Sequence, residues 1–323
     1  MIENKSFHEI VCILLLISWL IVILCTSTVL FIILRCWHPH CRSVINLHVC
    51  NSCFSLFFFA ITYSIQIPSF IQQIYINGSP PSTLFCQITA CLSVFSTGLV
   101  AHSCIAQAIS QFFITVLYKH KYLLTFRITW IIIIISWLIN VIIAVGMFIS
   151  PYAYQYDSES HFCTLTAHHF PTAISIGILF AFGPMLMLMI LYVIILRYTI
   201  YQTRINPNSQ STLRVRRSKR VFQNIILTFN LYSIAGIPYI LCLIMNRINE
   251  APWQLYSIQV LAFSFTAAIH SIFIFIMNKK VKEILFAKLT GQPIVAKGTR
   301  RQNQVVPNAV CYTHRIHSLK TVT

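Results

Sequence analysis

The sequence predicts an all-α membrane protein, a seven-transmembrane helix bundle with a short amphipathic eighth helix, N-terminus outside and C-terminus inside. Three observations point there. Charged residues are 9% of the 323 residues and hydrophobic ones 57%, a composition too poor in polar groups to cover a water-soluble domain of this size. Seven apolar runs are each long enough to cross about 30 Å of hydrocarbon at about 1.5 Å per helical residue. Charge is also sorted across those runs. All the Lys and Arg residues except Lys5 and Arg247 fall on one side, and all the acids except Glu283, namely Glu3, Glu9, Asp157, Glu159 and Glu250, fall on the other. By the positive-inside rule the basic side is the cytoplasm.

Residues 1–9 read as an extracellular N-terminus and residues 10–290 as the membrane domain with its eighth helix. The first apolar run, Ile10 to Leu34, exceeds the apolar region of a cleavable signal peptide and has no small-residue cleavage pattern behind it, so it reads as a retained span. The second and third spans, about 45–68 and 84–117, lie in a stretch from Arg42 to Lys119 without one intervening charge. Their boundary therefore rests on Pro68, Asn77, Gly78, Ser79, Pro80 and Pro81, which place the break near 69–83. The remaining spans are about 128–150, 171–199, 221–246 and 255–277.

A basic connection, about 200–220, leads into the sixth span. After the seventh, Lys279, Lys280, Lys282 and Lys288 interleave with Val281, Ile284, Leu285 and Leu289 at helical spacing, as in a helix lying on the inner membrane surface. Residues 291–323 form a polar, basic cytoplasmic tail with the composition of disorder. Two sequons, Asn4-Lys5-Ser6 and Asn77-Gly78-Ser79, fall outside and make Asn4 and Asn77 candidate glycosylation sites. The net charge of +17 belongs to topology and to anionic lipid, not to nucleic acid.

Of twelve cysteines, this topology leaves Cys86 and Cys163 facing an oxidising compartment. A disulfide between the third span and the loop after the fourth is the natural pairing. The alternative is a free Cys163 with Cys86 as a small apolar residue at a helix end.

Seven spans, an outside N-terminus and this cysteine link resemble the rhodopsin-like (class A) G-protein-coupled receptors over residues 10–290. Trp137 in the fourth span, Pro184 with Tyr192 eight residues later in the fifth, Pro238 in the sixth, and Asn278-Lys279-Lys280 ahead of the eighth helix stand where the family's pattern puts them. The resemblance implies a ligand held between the outer helix halves, hinge motion at Pro184 and Pro238, and a heterotrimeric G protein at the inner face. There Ser110, Gln111, Phe112, Tyr192, Arg216, Arg217, Lys219 and Arg220 would lie.

The chain departs from the family at several marks. Ser110-Gln111-Phe112 replaces Asp-Arg-Tyr, and Leu56 replaces the sodium-binding Asp. Thr26 or Ser27 stands for the first-span Asn, Ala235-Gly236-Ile237-Pro238 for Cys-Trp-x-Pro, and His270 to Ile274 for Asn-Pro-x-x-Tyr. None of these is needed for helix packing, but the cation that contacts the G protein is lost.

Against that pattern, Ser93 stands where amine receptors carry an acid and Ser264 where opsins carry the retinal lysine, so neither ligand class is expected. The polar candidates for an outer cavity are Ser93, Thr97, Tyr239, Tyr256 and Gln259, which suit an uncharged small molecule or a peptide. They can equally satisfy backbone and neighbouring helices. The loop from Tyr152 to Phe170, with Asp157, Glu159, His161, His168 and His169, could take a basic peptide or simply be solvated. His48, His102 and His270 come from different helices and depths, better suited to interhelical hydrogen bonds than to zinc. No cofactor motif or catalytic pair occurs, and no enzyme is expected. The expected function is a plasma-membrane receptor, with a receptor-like protein that does not couple to G proteins, or a transporter, as alternatives.

Overall fold

Along the first helix, α1 (Ile2–Arg35), Val11, Leu15, Trp19, Val22, Val29 and Ile33 recur at helical steps and are buried, while Ile10, Ile13, Leu14, Leu16, Ile17, Leu20 and Leu24 are exposed. The exposed side is as apolar as the buried one. Such a helix is stable only where its surroundings are also apolar, as in a bilayer.

The computed structural model describes residues 2–35, 37, 43–76, 81–148, 153–158, 160–165, 170–205, 230–248 and 251–290. After α1 come α2 (Val44–Ser64), α3 (Ile67–Ile76), α4 (Thr83–Thr115), a 3-10 turn (Lys121–Leu124) and α5 (Phe126–Phe148). A hairpin of β1 (Tyr154–Asp157) and β2 (Phe162–Leu165) leads to α6 (Phe170–Ile176), a π-helical turn (Gly177–Phe182) and α7 (Gly183–Ile205). Residues 230–247 form α8, followed by α9 (Trp253–Met277) and α10 (Lys279–Leu289).

Among the described residues, six helical stretches are long and apolar enough to cross a membrane: Lys5–Arg35, Val44–Tyr75, Thr83–Thr115, Phe126–Phe148, Ala173–Tyr201 and Trp253–Met277. The first part of the expected sixth span lies outside the described residues, and α8 is its remainder. The chain divides into two compact units, Met1–Lys282, which holds the bundle, and Glu283–Thr323, of which the end of α10 is described.

Within the bundle α1 packs on α2 and α9, and α4 touches α2, α5, α7 and both strands. The central place of α4 follows from its small buried residues, Ala90, Ser93, Ser96, Gly98, Ser103, Ala106 and Ala108, which let neighbouring backbones approach. Hydroxyls inside the helices turn back on their own carbonyls. Ser18 donates to the Leu14 oxygen at 2.8 Å and Thr26 to that of Val22 at 2.7 Å, which hides their polarity from apolar surroundings.

Two boundaries differ from the sequence reading. The first helix extends past the apolar run that starts at Ile10 and begins at Ile2, because its polar first turns have tertiary contacts: Phe7 meets Trp253 edge-on at 5.2 Å, and the Lys5 ammonium sits 4.6 Å over the Tyr75 ring. Pro68 does not end the second span. α2 stops at Ser64, the Gln66 N–H bonds back to the Tyr63 carbonyl at 3.1 Å, and Pro68 falls in the first turn of α3, where a missing N–H costs little.

The π-helical turn has a local cause. Pro184 offers no N–H to the helix that precedes it, and a Cβ added at Gly183 would come 2.7 Å from the Ile178 carbonyl oxygen. Gly183→Ala should therefore cost about 1–3 kcal/mol as the turn shifts to relieve the clash. Thermal unfolding of the purified chain in detergent checks this, and an unchanged midpoint would show that the turn tolerates a methyl group.

Candidate functional site

The end of the bundle that carries the hairpin is tied together covalently. Cys86, near the start of α4, and Cys163 in β2 form a disulfide with a Cα–Cα distance of 5.1 Å. The strands are antiparallel, with Tyr156 opposite Cys163 and Asp157 opposite Phe162. The Tyr154 hydroxyl donates to the Ala144 carbonyl of α5 at 2.8 Å, so the hairpin is held by two helices. Burial, reinforced by Cys91, pushes the Tyr154 phenol well above its usual range. Burial and then the Asp157 carboxylate push Tyr156 up to about 12. Both phenols thus keep their protons near neutrality and remain able to donate.

Beneath the disulfide sits a residue that sequence reasoning missed. Gln66, 2% exposed at the joint between α2 and α3, donates through Nε2 to Ser93 Oγ at 2.9 Å and accepts at Oε1 from the Cys163 N–H at 2.9 Å. One amide thereby links the α2–α3 joint, α4 and β2. The available signal was an amide side chain in an otherwise apolar pair of neighbours, Ile65 and Ile67, directly before Pro68. Such a group needs partners if buried.

The expected cavity residues are all placed, but most are already engaged. Ser93 is buried and donates onward to the Thr89 carbonyl at 2.8 Å, while half-buried Thr97 donates to the Ser93 carbonyl at 2.8 Å. Tyr239 on α8 donates to the Ala173 carbonyl of α6 at 2.7 Å, and its ring lies where a Cβ on Gly177 would meet it at 3.3 Å. The Tyr256 hydroxyl donates to the Asn246 side-chain oxygen, joining α9 to α8. Gln259 is half-buried on α9. Ser93 and Thr97 are thus brought together on α4, whereas Tyr239 and Tyr256 tie α8 to two different elements. Pro184 is buried in α7 and Pro238 half-buried in α8.

Toward the other end, the His48 Nε2 of α2 is hydrogen-bonded to Ser110 Oγ of α4. Gln111 is 8% exposed, and Phe112 and Tyr192 are half-buried. Tyr232 of α8 is hydrogen-bonded to His270 Nδ1 of α9 at 3.0 Å, and His102 Nδ1 lies 3.0 Å from the Gly98 carbonyl oxygen. The Trp137 indole donates to Asn51 Oδ1 at 3.0 Å, joining α5 to α2. Among the described residues no group of three or more His, Cys, Asp or Glu could hold a metal ion. Arg216, Arg217, Lys219, Arg220, Asn77, Glu159, His168 and His169 lie outside the described residues, and Asn4 is part of α1.

The family model of the 7 transmembrane receptor (rhodopsin family) matches residues 26–273, most of the chain. The chain belongs to this family. No curated protein matches it. Membership makes it a multi-pass membrane receptor of the G-protein-coupled type, and the family is one of receptors, not enzymes. In this rhodopsin-family receptor the matched span runs from Thr26 in α1 to Phe273 in α9, and so takes in the hairpin, the disulfide and α8. At the altered triplet of the receptor, Ser110 is held by His48 and Gln111 presents a neutral amide in place of the usual guanidinium.

Proposed function

We propose that the protein is a plasma-membrane receptor that takes an uncharged small molecule or a peptide at its disulfide end, outside the cell. Membership of the rhodopsin family carries this reading, and the disulfide-tied hairpin over the bundle supports the choice of end. Seven spans are proposed, with α8 as part of the sixth. Residues 1–9 lie outside, 10–290 form the receptor domain, α10 lies on the inner leaflet, and 291–323 form the cytoplasmic tail. Positive-inside sorting of charge supports that orientation.

Ligand would contact Ser93, Thr97, Tyr239, Tyr256 and Gln259. To do so it must exchange bonds with groups that are now satisfied internally, since Tyr239 holds Ala173 and Tyr256 holds Asn246. A ligand that replaces the Tyr239–Ala173 bond frees α8 from α6 at that point, and α8 can swing about Pro238. Ligand binding would then bias two pre-existing arrangements through different contacts in each. Ser110, Gln111, Phe112, Tyr192 and the basic residues Arg216, Arg217, Lys219 and Arg220 would face the G protein. Asn4 and Asn77 would carry glycans.

A second reading has its own observation: Gln111 is neutral and buried, so the receptor would bind ligand without activating a G protein. One experiment separates the two. G-protein dissociation is measured in cells expressing the chain and its Gln111→Arg variant against a peptide and small-molecule library, with surface expression verified through an N-terminal tag. The coupling reading expects a ligand-dependent signal from the wild type. A signal from Gln111→Arg alone would establish the non-coupling reading, and silence from both at good surface expression would count against a G-protein partner altogether.

A further inference from the structure

Two imidazoles from distant parts of the chain meet at the disulfide end. His8, near the start of α1, is 7% exposed, and its ring centroid lies 4.9 Å from that of His161 in the hairpin turn. Trp253 at 5.0 Å, Phe7 at 5.8 Å and Phe70 at 6.1 Å complete an aromatic surround drawn from α9, α1 and α3. The His8 Nδ1 is buried and has no hydrogen-bond partner among the described residues. A polar atom so placed calls for an explanation.

His161 supplies a second, independent oddity. It is the one non-glycine residue with positive φ among the described residues, at 57°. This left-handed conformation is uncommon outside glycine and is kept where surrounding contacts enforce it. Here the Tyr156 hydroxyl is 2.9 Å from His161 Nδ1, and Ser160 donates to Asp157 at 2.6 Å, which closes the turn.

The charged and titratable groups around the pair are few. The hairpin contributes Tyr156 and Asp157. On α1, Lys5, Glu9 and the buried Cys12 lie within about a turn of His8; Lys5 sits over the Tyr75 ring of α3, and Glu9 lies near the Tyr75 phenol. Phe70 and Trp253 are uncharged, and Glu159 and Glu250 lie outside the described residues.

We propose that the His8–His161 contact is an acid-sensitive latch, which holds the hairpin turn on the mouth of the bundle when His8 is neutral and releases it on protonation. A neutral imidazole packs in this surround as one more ring. An imidazolium there would bury a charge whose Nδ1–H finds no acceptor among the described residues, with a second imidazole in front of it. Trp253 offers a cation–π attraction that opposes release, but it replaces only part of the hydration that a buried cation gives up.

The sign follows from proton counting. The released turn leaves the His8 imidazole in water, where it binds a proton more readily than in the docked cage, so docking weakens as pH falls below the ordinary imidazole value, around 6.5. Release is confined to the turn, because Cys86–Cys163 and Gln66 hold the base of β2.

Hydrogen exchange on the full chain in nanodiscs, corrected for intrinsic pH dependence and compared at about pH 7.5 and pH 5, tests the latch. Wild-type amides in the turn should lose protection about tenfold at the lower pH while α4 keeps its own. His8→Phe, which keeps a ring in the cage but cannot titrate, should hold protection at both. Equal acid loss in His8→Phe, or none in the wild type, overturns the latch. An independent reading uses no His8 variant. The Trp253 emission, taken as wild type minus Trp253→Phe, should change reversibly between about pH 7 and pH 5, and a flat difference also overturns it.

Discussion

Replacing Cys86 by Ser should destabilise the receptor by about 2–5 kcal/mol and expose Cys163 to thiol reagents. The bond closes a segment of 77 residues that contains the rest of α4, all of α5 and β1, so its loss returns freedom to a long stretch of unfolded chain. The effect in the folded state is local. Cys163 is 3% exposed, and with the bond gone the hairpin keeps the Tyr154–Ala144 and Gln66–Cys163 hydrogen bonds and its packing but loses its covalent tie to α4. Two measurements check it: the unfolding midpoint in detergent, and labelling mapped to Cys163 by mass spectrometry. An unaltered midpoint with Cys163 still protected would mean that the covalent link contributes nothing to holding the hairpin.

Gln66→Met should cost about 2–4 kcal/mol, although it keeps the length and most of the volume of the side chain. Methionine cannot donate to Ser93, and its thioether is at best a weak acceptor for the Cys163 N–H, while an N–H buried in β2 without a proper partner costs about 1–3 kcal/mol by itself. Ser93 loses less, since it still donates to the Thr89 carbonyl. The asymmetry gives a sharper check than the single variant. In a double-mutant cycle with Ser93→Ala, the two substitutions should be less costly together than their separate costs imply, because each removes the same Gln66–Ser93 bond. Additive costs would mean that the Gln66–Ser93 bond contributes nothing measurable and that the destabilisation comes from the Cys163 N–H.

Much of this architecture was legible in the residues, for a physical reason. Spans are forced by the cost of leaving backbone polar groups unpaired in hydrocarbon, and that cost is written directly in apolar length, as in Thr83–Thr115 and Trp253–Met277. The pairing of Cys86 with Cys163 was likewise readable, since topology left those two together on the oxidising side. What local sequence could not state was tertiary. Pro68 has the signature of a helix stop, yet it serves as the first turn of α3, because the chain can make a tight joint at Ile65–Gln66 and start again. Residues 2–9 look polar enough for a free tail, but Phe7, His8 and Lys5 find Trp253, His161 and Tyr75 far along the chain.

The candidate site was legible as a set of residue types and not as a set of bonds. That Ser93, Tyr239 and Tyr256 would each already be committed depended on Gln66, Ala173 and Asn246, partners that no spacing rule pairs with them.

The π-helical turn at Gly177–Phe182 changes how positions in this helix can be compared with those of any other. A π turn accommodates one residue more than an α turn of equal length, so the face that a side chain occupies advances by about 100° across it. Counting residues back from Pro184 therefore keeps the correct face as far as the turn and loses it beyond. Positions in Phe170–Ile176 are offset by one from those that an uninterrupted helix would assign, and any residue-by-residue transfer of ligand contacts into that segment must be corrected by one place.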